Sequence, residues 1–262
     1  MFLLHGTPGS RNGPKPRASV LYRRGIRLVT YDRPGYGGST RHSGRRVADA
    51  AGDIADIADA LRIERFAVVG RSGGGPHALA CAALLPERIA RTAVLVGFAA
   101  PDAPDLEWFD GMAADNTREF EAANADPGQL VESLGRQAER TRQDPESLLV
   151  ELEREMTFAD KRVVYDLGIR RLLAQSYVEA LRQGPHGWID DVLALRADWG
   201  FSLGVIRSRV LLWHGEQDRF APVAHTWWLH RQIRRSQVMI QTDASHFGAV
   251  EILPQILAWV AG

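Results

Sequence analysis

"FAVVGRSGGGPHALACAALLP", Phe66 to Pro86, decides the fold. An apolar run ends in Gly70-Arg71-Ser72-Gly73-Gly74-Gly75, and an Ala-rich segment follows. That is a strand passing into a helix through a glycine-rich turn, and it has three readings. A phosphate cradle needs Gly-x-x-x-x-Gly-Lys-Ser/Thr, but Pro76 follows Gly75 where lysine should stand. The dinucleotide fingerprint needs Gly-x-Gly-x-x-Gly, and Gly70, Gly73 and Gly75 are wrongly spaced for it. A plain tight turn without chemistry is the second reading. The third is Gly-x-Ser-x-Gly, Gly70 to Gly74. In it Ser72 sits on a strained turn that lifts its Oγ above the sheet edge. Positions two before and two after must then be tiny, because the chain passes itself closely there. A helix starting near Gly73 adds its dipole and a free backbone N–H.

Outward from this stretch, short apolar runs alternate with helical patterns. "FLL" (Phe2 to Leu4), "IRLVTYD" (Ile26 to Asp32), "TAVLVG" (Thr92 to Gly97), "RVLLWHG" (Arg209 to Gly215) and "QVMIQT" (Gln237 to Thr242) read as strands. They lack polar alternation, as strands buried on both faces of a parallel sheet do. Val47 to Leu61 and Ile252 to Val260 carry apolar residues at helical spacing. The expected fold is therefore α/β, a mostly parallel twisted sheet flanked by helices.

From about Pro101 to Trp199 the rhythm breaks and no strand is expected. "DPESLLVELEREM" offers Asp144 as N-cap and Pro145 at the first helical position. "DKRVVYDLGIRRLLAQSYVEALRQG" reads as one further helix, stopped by Gly184-Pro185. The expected organisation is a core over 1–100, an inserted helical cap over 101–200 and the rest of the core over 201–262.

The 262 residues suffice for one substantial core with an insertion, and the formal net charge is zero. No basic field invites nucleic acid, and no run approaches the roughly 20 apolar residues of a membrane span. The one cysteine, Cys81, excludes an internal disulfide. With no leader read at Met1, a cytoplasmic location is expected. No His or Cys pair has metal-ligand spacing beside a carboxylate, so neither metal nor cofactor is expected.

A serine is a weak nucleophile without a base and oxyanion donors, so the rest of that machinery must exist. "WHGEQDRFAPV" puts Asp218 just past one strand and "TDASHFGAVE" puts His246 just past the last. "LLHGTPGS" and "YDRPGYGGS" follow the two earliest runs. With His5-Gly6-Thr7-Pro8-Gly9, Asp32 to Ser39, Gly70 to Gly74, Gly215 to Asp218 and Ser245-His246-Phe247, the chain resembles the α/β-hydrolase superfamily. The resemblance is to its capped branch, with proline iminopeptidase-like and esterase-like members.

The resemblance implies a Ser72-His246-Asp218 triad, with Asp102, Asp105 and Glu216 as rival acids. It implies an oxyanion hole from the backbone N–H groups of Thr7 and Gly73, with Gly70 and Gly74 framing the turn. His5 would support the hole's loop. Phe98, Phe220 and Phe247 are candidates for the pocket lining. A family member usually has two strands before the His-Gly-x-Pro strand. Here the chain starts inside that strand, so those two are expected to be missing or truncated. Arg71, before the nucleophile, carries no specificity assignment.

The expected activity is a serine hydrolase cleaving a carboxylic ester, thioester, lactone or small amide through an acyl-enzyme. Its expected partner is a small acyl substrate, and its oligomeric state is open. Two alternatives stand beside it. The same triad serves C–C bond cleavage or lyase and peroxidase chemistry in relatives, and the fold can serve as a non-catalytic ligand-binding protein.

Overall fold

The computed structural model describes all 262 residues. Five strands form one sheet: β1 (Phe2–Leu4), β2 (Phe66–Arg71), β3 (Ile89–Leu95), β4 (Arg209–Gly215) and β5 (Ser236–Gln241). They lie in the spatial order β1-β2-β3-β4-β5, every pair parallel. Leu4 pairs with Gly70, Gly70 with Val94, and Leu95 with Trp213. Parallel order puts every strand's C-terminal end on one edge, and the loops that leave it meet there.

Alternate residues of each strand serve two different cores, as the two-residue period of a strand requires. Leu4, Val68, Val94 and Leu212 face one apolar cluster. Leu3, Val69, Leu95 and Trp213 face the other. The first core is covered by α2 (Ala50–Ala60) and α3 (Gly74–Leu84), the second by α11 (Gly248–Glu251) and α12 (Leu253–Ala261). α1 (Ala18–Arg23) lies in the loop after β1, and α10 (Ala224–Gln232) packs on β4 and β5. Ala supplies helix propensity to α3, and Pro76 sits in its first turn, where no carbonyl partner for an N–H exists.

Between β3 and β4 the chain forms no strand. It forms α4 (Ala114–Ala125), α5 (Pro127–Gln143), α6 (Ser147–Leu152), α7 (Phe158–Val164), α8 (Leu167–Ala180) and α9 (His186–Arg196). No helix is long and apolar enough to cross a membrane. Side-chain caps set several boundaries. Asp126 accepts from Gln129 N–H at 3.0 Å at the start of α5, with Pro127 next in line.

Three local expectations are corrected. "IRLVTYD" is not a strand: it makes a single bridge, Val29 to Phe2, through Leu3 N–H to Val29 O (3.0 Å) and Val29 N–H to Met1 O (2.9 Å). Beyond Val29, neither Thr30 nor Tyr31 makes a backbone hydrogen bond to β1, so the ladder stops at one bridge. The long helix expected from Asp160 is two helices, α7 and α8. Asp166 turns extended between them, and its carboxylate caps α8 by accepting from Ile169 N–H at 2.9 Å. Asp144 caps a turn rather than a helix. It accepts from Glu146 N–H at 3.1 Å, and α6 begins only at Ser147.

Candidate active site

Ser72 follows β2 directly and precedes α3, with φ +51. A non-glycine residue there is strained and persists only where its surroundings hold it. Ser72 N–H donates to Leu95 O at 2.8 Å and Ser72 O accepts from Gly75 N–H at 2.8 Å. A Cβ on Gly70 would overlap the Gly74 carbonyl oxygen, and one on Gly74 would lie 2.5 Å from His5 O. Both positions therefore exclude a side chain, as the turn's sequence signature implies.

His246 follows β5, with its Nδ1–H donating to Asp218 Oδ2 at 2.8 Å. Asp218 follows β4 and is buried. Its Oδ1 accepts from the N–H groups of Phe220 (2.8 Å) and Ala221 (2.9 Å), and His214 Nε2 lies 3.3 Å from Oδ2. Burial would raise this carboxyl's pKa, but the charge and hydrogen bonds of His246 and His214 win and hold it well below the usual range. Burial would lower the His246 pKa, and Asp218, by charge and hydrogen bond, turns the net shift upward. The rival acids Asp102, Asp105 and Glu216 are exposed, and none bonds to His246.

Ser72 and His246 line one cavity of about 150 Å³ at the C-terminal edge of the sheet. No hydrogen bond joins Ser72 Oγ to His246, and such contacts often tighten only when substrate is seated. Thr7 lines the same cavity, and a Cβ on Gly73 would lie 2.9 Å from Thr7 Cβ, so Gly73 packs directly against the Thr7 side chain. Neither Thr7 N–H nor Gly73 N–H has a backbone carbonyl partner. Phe98, Phe220 and Phe247 are all on the cavity wall. The helices between β3 and β4 contribute further wall residues, including Glu119, Tyr177 and Trp188. Half-buried Glu119 accepts from Trp188 Nε1–H at 2.9 Å, and burial pushes its carboxyl up to about 7. No cluster of three His, Cys, Asp or Glu side chains has the geometry to hold a metal ion.

Two buried carboxylates that sequence reasoning missed hold the loops of this site. Asp191, on α9, is fully buried. It accepts from Thr7 Oγ1 (2.6 Å), Tyr36 OH (2.9 Å), Arg33 Nη2 (2.5 Å) and Arg45 Nη2 (2.6 Å). Burial opposes ionisation, but the two guanidiniums overcome it and hold the carboxyl well below its ordinary value. Arg33 also donates to His5 O (2.6 Å) and Gly6 O (2.9 Å). Arg33 N–H donates to His5 Nε2 at 3.2 Å, which leaves the proton on Nδ1, bonded to Gly6 O at 2.8 Å. The loop carrying Thr7 is thus fixed from behind. Asp160, on α7, accepts from Ser245 Oγ (2.7 Å) and Phe247 N–H (2.9 Å), clasping the loop that carries His246. One signal for Asp191 was present: it lies three residues after Trp188 and four before Leu195, on an otherwise apolar helix face. Asp160 gave none beyond its capping box with Thr157.

Residues 1–251 match the model of the alpha/beta hydrolase fold family. The chain belongs to that family. It is 25% identical over 255 residues to a 2-hydroxymuconate semialdehyde hydrolase of Pseudomonas putida, covering 95% of this chain and 81% of the relative. Two solved structures share its fold. One is a thermophilic esterase from Thermogutta terrifontis (TM-score 0.71, 22% identity, covering 99% of this chain and 86% of that one). The other is a bromoperoxidase from Bacillus anthracis (TM-score 0.70, 19% identity, covering 98% and 89%).

Proposed function

We propose that this protein is a serine hydrolase that cleaves a small ester, thioester, lactone or amide through an acyl-enzyme. The observation that carries the reading is the positive-φ Ser72 facing the same cavity as a His246 bonded to buried Asp218. In this reading Ser72 Oγ attacks the carbonyl carbon while His246 Nε2 takes its proton, the nitrogen left free by the Asp218 bond. Thr7 N–H and Gly73 N–H receive the oxyanion, one such donor being worth about 3 kcal/mol. His246 returns the proton to the leaving group, and water repeats the cycle on the acyl-enzyme. The helices between β3 and β4 serve as a cap that walls the cavity.

The test is labelling with a small, uncharged fluorophosphonate, read by intact mass. One adduct is expected on the native protein and none on Ser72→Ala, with hydrolysis lost in both Ser72→Ala and His246→Ala. A folded native protein that takes no label would overturn the reading. The likeness to a 2-hydroxymuconate semialdehyde hydrolase favours a second reading, C–C bond cleavage by the same triad. Hydrolysis of a panel of simple esters separates the two.

A further inference from the structure

Four arginines near the site are buried, Arg33 and Arg45, or half-buried, Arg71 and Arg196, and they are provided for differently. Arg33 and Arg45 each meet Asp191 and backbone carbonyls. Arg196 lies over Trp108 at 4.4 Å and Phe109 at 5.2 Å, a ring partner for its charge. Arg71 has neither. It is the residue immediately before Ser72 and lines the same cavity. Its Nε is buried with no hydrogen-bond partner, and no carboxylate of the chain forms an ion pair with it. The only side chain that offsets its burial is the phenol of Tyr177, which lines the cavity too. Burial lowers the guanidinium to about 10, so it is still cationic at neutral pH. Burial likewise pushes the Tyr177 phenol up to about 12, so it stays a neutral hydroxyl donor.

The carboxylates elsewhere on the cavity wall are already engaged. Glu119 is bonded by Trp188, Glu151 by Gln137 (2.5 Å) and Arg140 (2.6 Å), and Asp115 by Arg118. A buried, uncompensated cation is costly, and proteins keep one where an anion arrives from outside. The planar fork of a guanidinium matches a carboxylate, with two parallel N–H donors for two oxygens.

We propose that Arg71 receives a carboxylate of the substrate, so that the acyl compound cleaved at Ser72 is a half-ester or other monoacyl derivative of a dicarboxylic acid. This rests on the serine hydrolase reading for its chemistry, but not for its binding. The site selects the anion at the residue next to the nucleophile, which ties the distance between carboxylate and scissile carbonyl to the chain's own backbone.

The test compares the p-nitrophenyl monoesters of succinate and glutarate with their methyl-capped, uncharged counterparts, on the native protein, Arg71→Met and Arg71→Lys. The native protein is expected to favour the charged ester in kcat/KM by about ten- to a hundredfold, the worth of a charge-assisted hydrogen-bond pair. Arg71→Met should abolish that preference, and Arg71→Lys should restore part of it. Equal loss on charged and capped esters, or no preference in the native protein, overturns the inference. Fluorophosphonate labelling of the same preparations keeps the two readings apart: labelled Ser72 with no preference sinks the carboxylate site alone. A second measurement needs no turnover. Glutarate should bind Ser72→Ala and bind at least tenfold more weakly once Arg71→Met is added; equal binding counts against the site.

Discussion

At the scale of single residues, the site is a set of groups whose ionisation is set by what stands beside them. His246 loses to burial and gains more from Asp218, so its pKa lies above the ordinary 6.5. A base must be neutral, so kcat/KM should rise with pH through an inflection above 6.5, higher than a bare histidine would give. Asp218→Asn removes the opposing charge. Its inflection should move down while turnover drops by about 10⁴, read from pH–rate profiles of both proteins. Glu119 behaves in the opposite sense to a paired carboxylate. Its folded pKa of about 7 stands above the ordinary 4.5, so the native state keeps a proton that the unfolded chain has already released. Stability is therefore fully present below about pH 4.5 and is lost as pH rises to about 7. Glu119→Gln keeps the acceptor for Trp188 and cannot ionise. Its gain in Tm over the native protein should be larger at pH 8 than at pH 4; an equal gain at both would contradict the buried carboxyl.

At the scale of elements, Asp191 shows how a helix far along the chain fixes a loop near its start. Asparagine there would leave Arg33 and Arg45 buried without a counter-charge, since Asp191 is the ion-pair partner of both. We expect Asp191→Asn to cost about 3–5 kcal/mol in denaturant unfolding, the usual result of breaking one side of a buried ion pair. Because Thr7 Oγ1 also rests on Asp191, kcat should fall more than KM rises. That Ser72, Asp218 and His246 follow strand ends was legible in the sequence, because each sits in a short motif. Asp160, Asp191 and Arg71 were not legible, because their meaning comes from residues 85, 184 and 106 positions away: Ser245, Thr7 and Tyr177. The run Ile26–Asp32 misled for a related reason. Its composition suits a strand, but pairing depends on a partner in register, and only Val29 finds one against β1.

At the scale of the whole molecule, the helices inserted between β3 and β4 are joined to the sheet edge by both of those carboxylates. Asp160 holds the loop that carries His246 and Asp191 the loop that carries Thr7. The same helices line the cavity that Ser72 lines. In the proposed hydrolase, substrate shape and the alignment of the reacting groups are thus set by one piece of chain. This limits how such a protein can diversify by recombination. A foreign lid grafted onto this sheet would arrive without partners for Arg33, Arg45 and Ser245, and would disable the machinery it was meant to re-target. New specificities are inherited more safely by point changes inside the existing helices, or by exchanging lid and catalytic loops together as one heritable unit.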